Sequence, residues 1–137
     1  MYLLDTNIIS ELRKQKPHGA VTAWFDKALA EDIRIPAVAL GELQNGVELT
    51  RRQDPQKASE IEQWIDRIVL SFAVIPMDGA DFREWARLMH GKSDDLSADA
   101  MIAATARIHG MVVVSRNVKD FARFGVQVFN PFSGKSV

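Results

Sequence analysis

The sequence predicts an α/β fold, a three-layer α/β/α sandwich around a mainly parallel central sheet, with all of 1–137 in one domain. Three observations carry this expectation. Short apolar runs alternate along the chain with longer amphipathic segments. The run Met111-Val112-Val113-Val114 is apolar without alternation, as in a strand covered on both faces. No hairpin turn signal joins consecutive runs, so crossovers must return each strand to the same sheet.

Tyr2 to Leu4 reads as a first strand that ends at Asp5. Val21, Trp24, Phe25, Ala28 and Leu29 fall at helical spacing, and the β-branched Ile33-Arg34-Ile35 before Pro36 reads as a second strand. Leu40, Leu43, Val47 and Leu49 predict a helix from about Leu40 to Arg51, with Glu42 in its first turn. Asp54-Pro55 marks a turn. Ile61, Trp64, Ile65, Ile68, Val69 and Phe72 form the strongest helical face in the chain, and Ala73-Val74-Ile75-Pro76 follows as a third strand. Asp78 is placed to cap a helix whose buried face would carry Phe82, Trp85, Ala86 and Met89, with Gly91 just past its end. Beyond a polar loop from Lys92 to Leu96, Ser97 would cap another helix running to His109 and Gly110. After the Met111 strand, Arg116 to Arg123 reads as a turn or short helix. Val126 to Phe129, before Asn130-Pro131, closes the series as a short strand.

Composition removes several function classes. Cysteine is absent, so a disulfide scaffold, a thiol nucleophile and thiolate metal sites are excluded. His18, His90 and His109 share no short ligand spacing, which leaves zinc without a site. Neither GxGxxG, GxxxxGK[ST] nor G-x-S-x-G occurs, so nucleotide-loop and serine-hydrolase chemistry lack support. No apolar run approaches the roughly 20 residues that cross a bilayer. Met1 to Asp5 has no basic segment leading into a long apolar one, and a cytoplasmic protein is expected. Seventeen Lys and Arg against eighteen Asp and Glu give a net charge of −1, so any site for a polyanion must be local.

Open α/β sheets bind ligands at the carboxyl ends of their strands. Four acids fall near that edge: Asp5 after the first strand, Glu42 on the helix after the second, Asp99 among small apolar residues in Ser97 to Ala104, and Asp120 in the loop after the Met111 strand. Taken singly, Asp5 could cap a helix, Glu42 could balance a helix dipole and Asp120 could serve turn chemistry. Together they pose a charge problem, since clustered carboxylates repel and burial raises their pKa values unless a cation joins them. Mg²⁺ fits an all-oxygen set, with Mn²⁺ as the alternative. Such an ion serves phosphodiester hydrolysis by polarising a phosphoryl oxygen and activating water.

Four segments, Leu3-Leu4-Asp5-Thr6-Asn7-Ile8-Ile9-Ser10-Glu11, Ala39-Leu40-Gly41-Glu42-Leu43-Gln44-Asn45-Gly46, Ala98-Asp99-Ala100-Met101-Ile102-Ala103-Ala104-Thr105-Ala106 and Ser115-Arg116-Asn117-Val118-Lys119-Asp120-Phe121, together resemble PIN-domain proteins. More narrowly they resemble the VapC and FitB-like toxins of bacterial type II toxin-antitoxin systems. The resemblance covers nearly the whole chain, and its specificity lies in four motifs in series. It implies a Mg²⁺- or Mn²⁺-dependent ribonuclease with Asp5 and Asp99 as the firmest metal ligands, Glu42 as a ligand or water-orienting carboxylate, and Asp120 as the fourth acid. Asn117 stands where some relatives carry a carboxylate, and Asn7 and Ser115 match polar supporting positions. The resemblance also implies an RNA substrate, a VapB-like antitoxin, a homodimer, and operator DNA bound only as the toxin-antitoxin complex.

Cutting RNA at net charge −1 requires local cations, and two groups qualify: Arg116, Lys119 and Arg123 beside Asp120, and Arg13, Lys14 and Lys16 after the first motif. Dimer contacts could come from the Ile61 to Phe72 helix or from the face bearing Trp85, although core packing explains both. The competing class is a non-catalytic PIN-like binding module acting through an antitoxin and DNA complex. Retention of all four acids argues against it.

Overall fold

The computed structural model describes residues 1–136. Six strands form one sheet in the order β3-β2-β1-β4-β5-β6, comprising β1 (Tyr2–Leu4), β2 (Ile33–Pro36), β3 (Ala73–Ile75), β4 (Val112–Val114), β5 (Val128–Asn130) and β6 (Lys135–Ser136). The first five run parallel, and β6 joins β5 antiparallel. Seven helices surround them: α1 (Thr6–Arg13), α2 (Gly19–Lys27), α3 (Ala37–Arg51), α4 (Pro55–Ser71), α5 (Gly79–Met89), α6 (Ser97–His109) and α7 (Val118–Arg123). The expected three-layer sandwich with a mainly parallel sheet is therefore present.

Both faces of the sheet are covered, which is why its strands are apolar without interruption. Leu3 packs with Ala103, Ala106, Val113 and Phe121 toward α6 and α7, whereas its neighbour Leu4 points the other way, into Ile8, Ile9, Val21 and Ala39. The alanines of α6 are part of the design, because Ala100, Ala103 and Ala106 are buried and let that helix lie close to β1 and β4. Val47, Ala58 and Ile65 join α3 to α4 in a smaller cluster.

Several boundaries differ from expectation. α3 begins at Ala37, three residues early, because Pro36 leaves the strand in an extended conformation and the helix starts directly after it. Glu42 consequently sits in the second turn. Leu96, not Ser97, occupies the cap position of α6, and a 3-10 turn at Asp94–Leu96 feeds the helix without a side-chain cap. Ala28 and Leu29 lie past the end of α2. On α5, Phe82 and Ala86 are exposed, and the inward face carries Asp81, Trp85 and Leu88. Asp81 is buried and shares a reciprocal capping box with Asp78. Its free Oδ1 lies 3.3 Å from His109 Nε2. The antiparallel β6 was not anticipated; Asn130 Oδ1 accepts from the Phe132 amide, and Gly134 at φ +71° completes the turn. Trp85 donates to the Ser97 carbonyl; Trp85, Trp64 and Ile68 are partly buried against the core, while Leu70 is 87% exposed. Among the described residues, no helix is long and apolar enough to cross a membrane.

Two glycines should respond oppositely to alanine. Gly110 ends α6 at φ +66°, so Gly110→Ala should lower stability by about 1 kcal/mol. Gly46 lies mid-α3 with open space at its Cβ, so Gly46→Ala should raise stability by about 0.5–1 kcal/mol. Urea denaturation of the two variants reads both signs.

Candidate metal centre

The chain order places a switch point beside β1. From β1 the chain steps outward through β2 to β3, then returns to the opposite side of β1 with β4. At the carboxyl edge between β1 and β4 the crossovers diverge, leaving a crevice of the kind that holds ligands in open α/β sheets.

Asp5 and Ser115 are the residues directly after those two strands. Ser115 Oγ donates to Asp5 Oδ2 at 2.6 Å, and Asp5 Oδ1 accepts the Thr6 amide at 2.7 Å. Asp5 thus both caps α1 and lines the crevice. It is 5% exposed and Ser115 is fully buried. Burial pushes the Asp5 carboxyl above its usual range; the bonds from Ser115 and Thr6 pull the other way, and the charge of Glu42 adds to the rise.

Glu42 comes across from α3, and Thr6 Oγ1 donates to its Oε1 at 2.7 Å. Asp99 enters from the first turn of α6. Its pKa is raised to about 6, chiefly by burial, then by the charges of Asp5, Asp120 and Glu42, against a lowering bond from Asn117. Asp120, in the first turn of α7, is reached through Asn117, whose Nδ2 donates to Asp99 Oδ2 at 3.2 Å and to Asp120 Oδ2 at 2.9 Å. The Asn117 amide in turn donates to Ser115 Oγ at 2.9 Å. One hydrogen-bonded chain therefore links Asp5, Ser115 and Asn117 to both Asp99 and Asp120.

A cleft of about 470 Å³ opens over this group, lined by Asp5, Glu42 and Asp99. Asp120 stands just outside its lining. The lining also carries cations and an aromatic ring: Lys14 is held by Glu11 at 2.9 Å, and the Arg116 guanidinium lies 4.0 Å over the Phe132 ring. Lys14, followed by the His18 amide, holds the Glu11 carboxyl below its ordinary range. Asn7 also lines the cleft, and Arg123 faces Asp120 at 3.9 Å. Thr6, Glu11 and Phe132 were missed in sequence. Thr6 and Glu11 sit inside the first motif, but Phe132 follows a turn that carries no periodicity.

The donor set fits a hard divalent ion, being all oxygen and composed of acids whose charges raise the proton affinity of Asp99. Among the described residues, no three acidic or imidazole groups already stand close enough to cage an ion by themselves. Mg²⁺ usually keeps several waters and is bound through one or two carboxylates. The open arrangement suits such an ion.

Over residues 2–127 the sequence matches the PIN domain family. The chain belongs to the PIN-domain family. Within it, Toxin FitB of Neisseria gonorrhoeae is 36% identical over 141 residues, covering 96% of this chain and 99% of the relative. VapC ribonuclease Y4jK of Sinorhizobium fredii is 34% identical over 139 residues, covering 96% and 98%. The crystal structure of FitAcB from N. gonorrhoeae superposes with a TM-score of 0.86 at 34% identity, over 96% of this chain and 99% of that one. A PIN sheet thus supplies the crevice, and the four acids named from the sequence meet around it.

Ion-free protein should show the cost of this crowding. Asp99 has a folded value of about 6 above an ordinary 3.8, so its protonated form is favoured on folding. Stability is then lost as pH rises through this interval, and the loss persists above it. In EDTA, Asp99→Asn should melt above the parent at pH 7.5, with the gap closing toward pH 4. A gap independent of pH would contradict the assignment.

Proposed function

We propose that this protein is the toxin of a type II toxin-antitoxin pair, an endoribonuclease that hydrolyses RNA phosphodiester bonds with Mg²⁺ or Mn²⁺. The observation that carries this is the meeting of Asp5, Glu42 and Asp99 in one cleft at the sheet's switch point, with Asp120 tied to them by Asn117. Asp5 and Asp99 are the ligands that would hold the ion, with Glu42 and Asp120 completing the acidic set. When bound, the ion supplies charge neutralisation and Lewis acidity at the phosphoryl group.

The chain's own residues do the rest. Ser115 fixes one oxygen of Asp5 and Thr6 fixes one of Glu42, so both carboxylates are oriented before substrate arrives. Glu42, held on α3 by that single bond, orients the attacking water and accepts its proton. Lys14 and Arg116, which line the same cleft, bind the phosphate and offset the repulsion between an acidic centre and a polyanion.

The relatives support an antitoxin partner and operator DNA, and we extend the proposal to the rest of the partner set. FitAcB was solved in crystals and FitAB was solved bound to an IR36 DNA fragment; the latter superposes at a TM-score of 0.80 and 34% identity. By analogy this chain works in the cytoplasm as a homodimer, is neutralised by a VapB-like antitoxin, and reaches operator DNA only within that complex. A second reading, suggested by the DNA-bound FitAB relative, is a non-catalytic PIN module acting within such a complex.

Purified, antitoxin-free protein incubated with a mixed RNA pool should cut RNA with Mg²⁺ or Mn²⁺ and not with EDTA. Asp5→Asn and Asp99→Asn should each abolish the cutting. Ser115→Ala and Asn117→Ala should lower it about 10–100-fold, the usual effect of removing a group that orients a ligand. RNA left intact under both metals by folded protein selects the non-catalytic reading.

A further inference from the structure

A second basic feature lies outside the metal centre. Between the end of α1 and one stripe of α4 runs a groove of about 450 Å³ lined by Arg13, Lys14, Lys57 and Arg67, with Ile61 and Trp64 on its floor. Lys57, Glu60, Ile61, Trp64 and Arg67 recur at three and four residues, so a single face of α4 builds the wall. Glu60 is the one acid there, giving four cations to one carboxylate in a chain of net charge −1. Among the described residues, Arg13, Lys57 and Arg67 have no ion-pair partner, as is also true of Arg83 and Lys92.

The groove also communicates with the acids. Arg13 and Ile61 line it together with an adjoining hollow whose other walls include Thr6, Ser10 and Glu42. Thr6, Ser10 and Glu42 in turn line the central cleft, as does Lys14. A continuous surface path therefore leads from the acidic centre to a cationic trough with an indole in its floor. A trough of cations that tracks a backbone, with an aromatic side chain for a base to stack on, is what a single strand of nucleic acid needs. An acidic protein segment would use the cations but has less use for the path to the acids.

We propose that the α1/α4 groove binds the backbone of the single-stranded RNA on one side of the cleavage point. Lys57 and Arg67 contact phosphates, and the part of the Trp64 indole not packed against the core lines the track. This rests on the ribonuclease reading above, and it adds a place on the protein that sets affinity without taking part in the chemistry.

The test uses the full chain in EDTA, with a fluorescein-labelled 20-nucleotide RNA of mixed sequence followed by anisotropy across a salt series. Lys57→Glu with Arg67→Glu is compared with Arg83→Glu with Lys92→Glu, a pair of equal charge change in exposed positions on α5 and the loop after it. Lys57→Glu sets an acid in the first turn of α4, where a helix tolerates it, and a thermal melt checks both folds. The groove pair should weaken RNA binding about 10-fold or more and flatten the log-log salt slope by about 1.4, two phosphate contacts at roughly 0.7 each, while the control pair changes little. Equal losses in both pairs, or no loss in the groove pair, would overturn the proposal. If a labelled 20-residue polyglutamate loses affinity for the groove pair while RNA does not, the groove serves an acidic protein segment instead. Mg²⁺-dependent cleavage of the pool by the parent chain, measured alongside, separates the two claims: cleavage with unchanged groove-pair binding overturns the groove alone, and neither cleavage nor binding by the parent overturns both.

Discussion

The hydrogen bond from Ser115 to Asp5 closes the carboxyl ends of β1 and β4 against each other, and the rest of the site is built outward from it. It exists because Leu4 pairs with Val114 in the parallel register, which brings the next residue of each strand to the same edge. The Asp5 amide also donates to the Val114 carbonyl at 2.9 Å, extending that register into the site. From Ser115 the network passes to Asn117, and from Asn117 to two carboxylates on two further helices. Acids from β1, α6 and α7 are thus referred to a single strand junction. A change in β1/β4 register would disperse them.

This arrangement stores electrostatic cost. Burial, with the charges of neighbouring acids, raises the Asp5 and Asp99 carboxyls, so their ionised forms cost stability that a bound cation would convert into affinity. Cations border the centre as well, Arg123 lying 3.9 Å from Asp120. Lys14 and Arg116 line the cleft with the acids, and Arg13 of α1 with Lys57 and Arg67 of α4 extends the positive surface beyond it. Net charge near zero therefore conceals two local fields of opposite sign, one suited to a metal ion and one to a phosphate chain.

The parallel sheet was legible because strands covered on both faces leave uninterrupted apolar runs, of which Val112 to Val114 is the clearest. Asp5 and Asp99 were legible because each follows or accompanies apolar residues that give a carboxylate no packing reason to be there. Strand order was not, since pairing depends on contacts across more than a hundred residues, as between Leu3 and Val113. The start of α3 was misjudged because Ala37, Val38 and Ala39 carry neither a polar cap nor clear periodicity, and Pro36 ends a strand as readily as it begins a helix. Ser97 invited a cap that the preceding 3-10 turn makes unnecessary. Phe82 followed a hydrophobic pattern that in fact points partly to solvent, while the polar Asp81 took the buried place because its capping box with Asp78 holds it there.

The central claim is that the carboxylates around the Asp5–Ser115 junction bind a divalent cation. Isothermal titration of Mn²⁺ into the parent chain and into Asp5→Asn and Asp99→Asn, at pH 7.5 and again at pH 5, tests it most directly. Saturable binding by the parent that is lost in both variants and weakens at pH 5, where Asp99 takes up its proton, is the predicted result. Binding that is indifferent to both substitutions would contradict it.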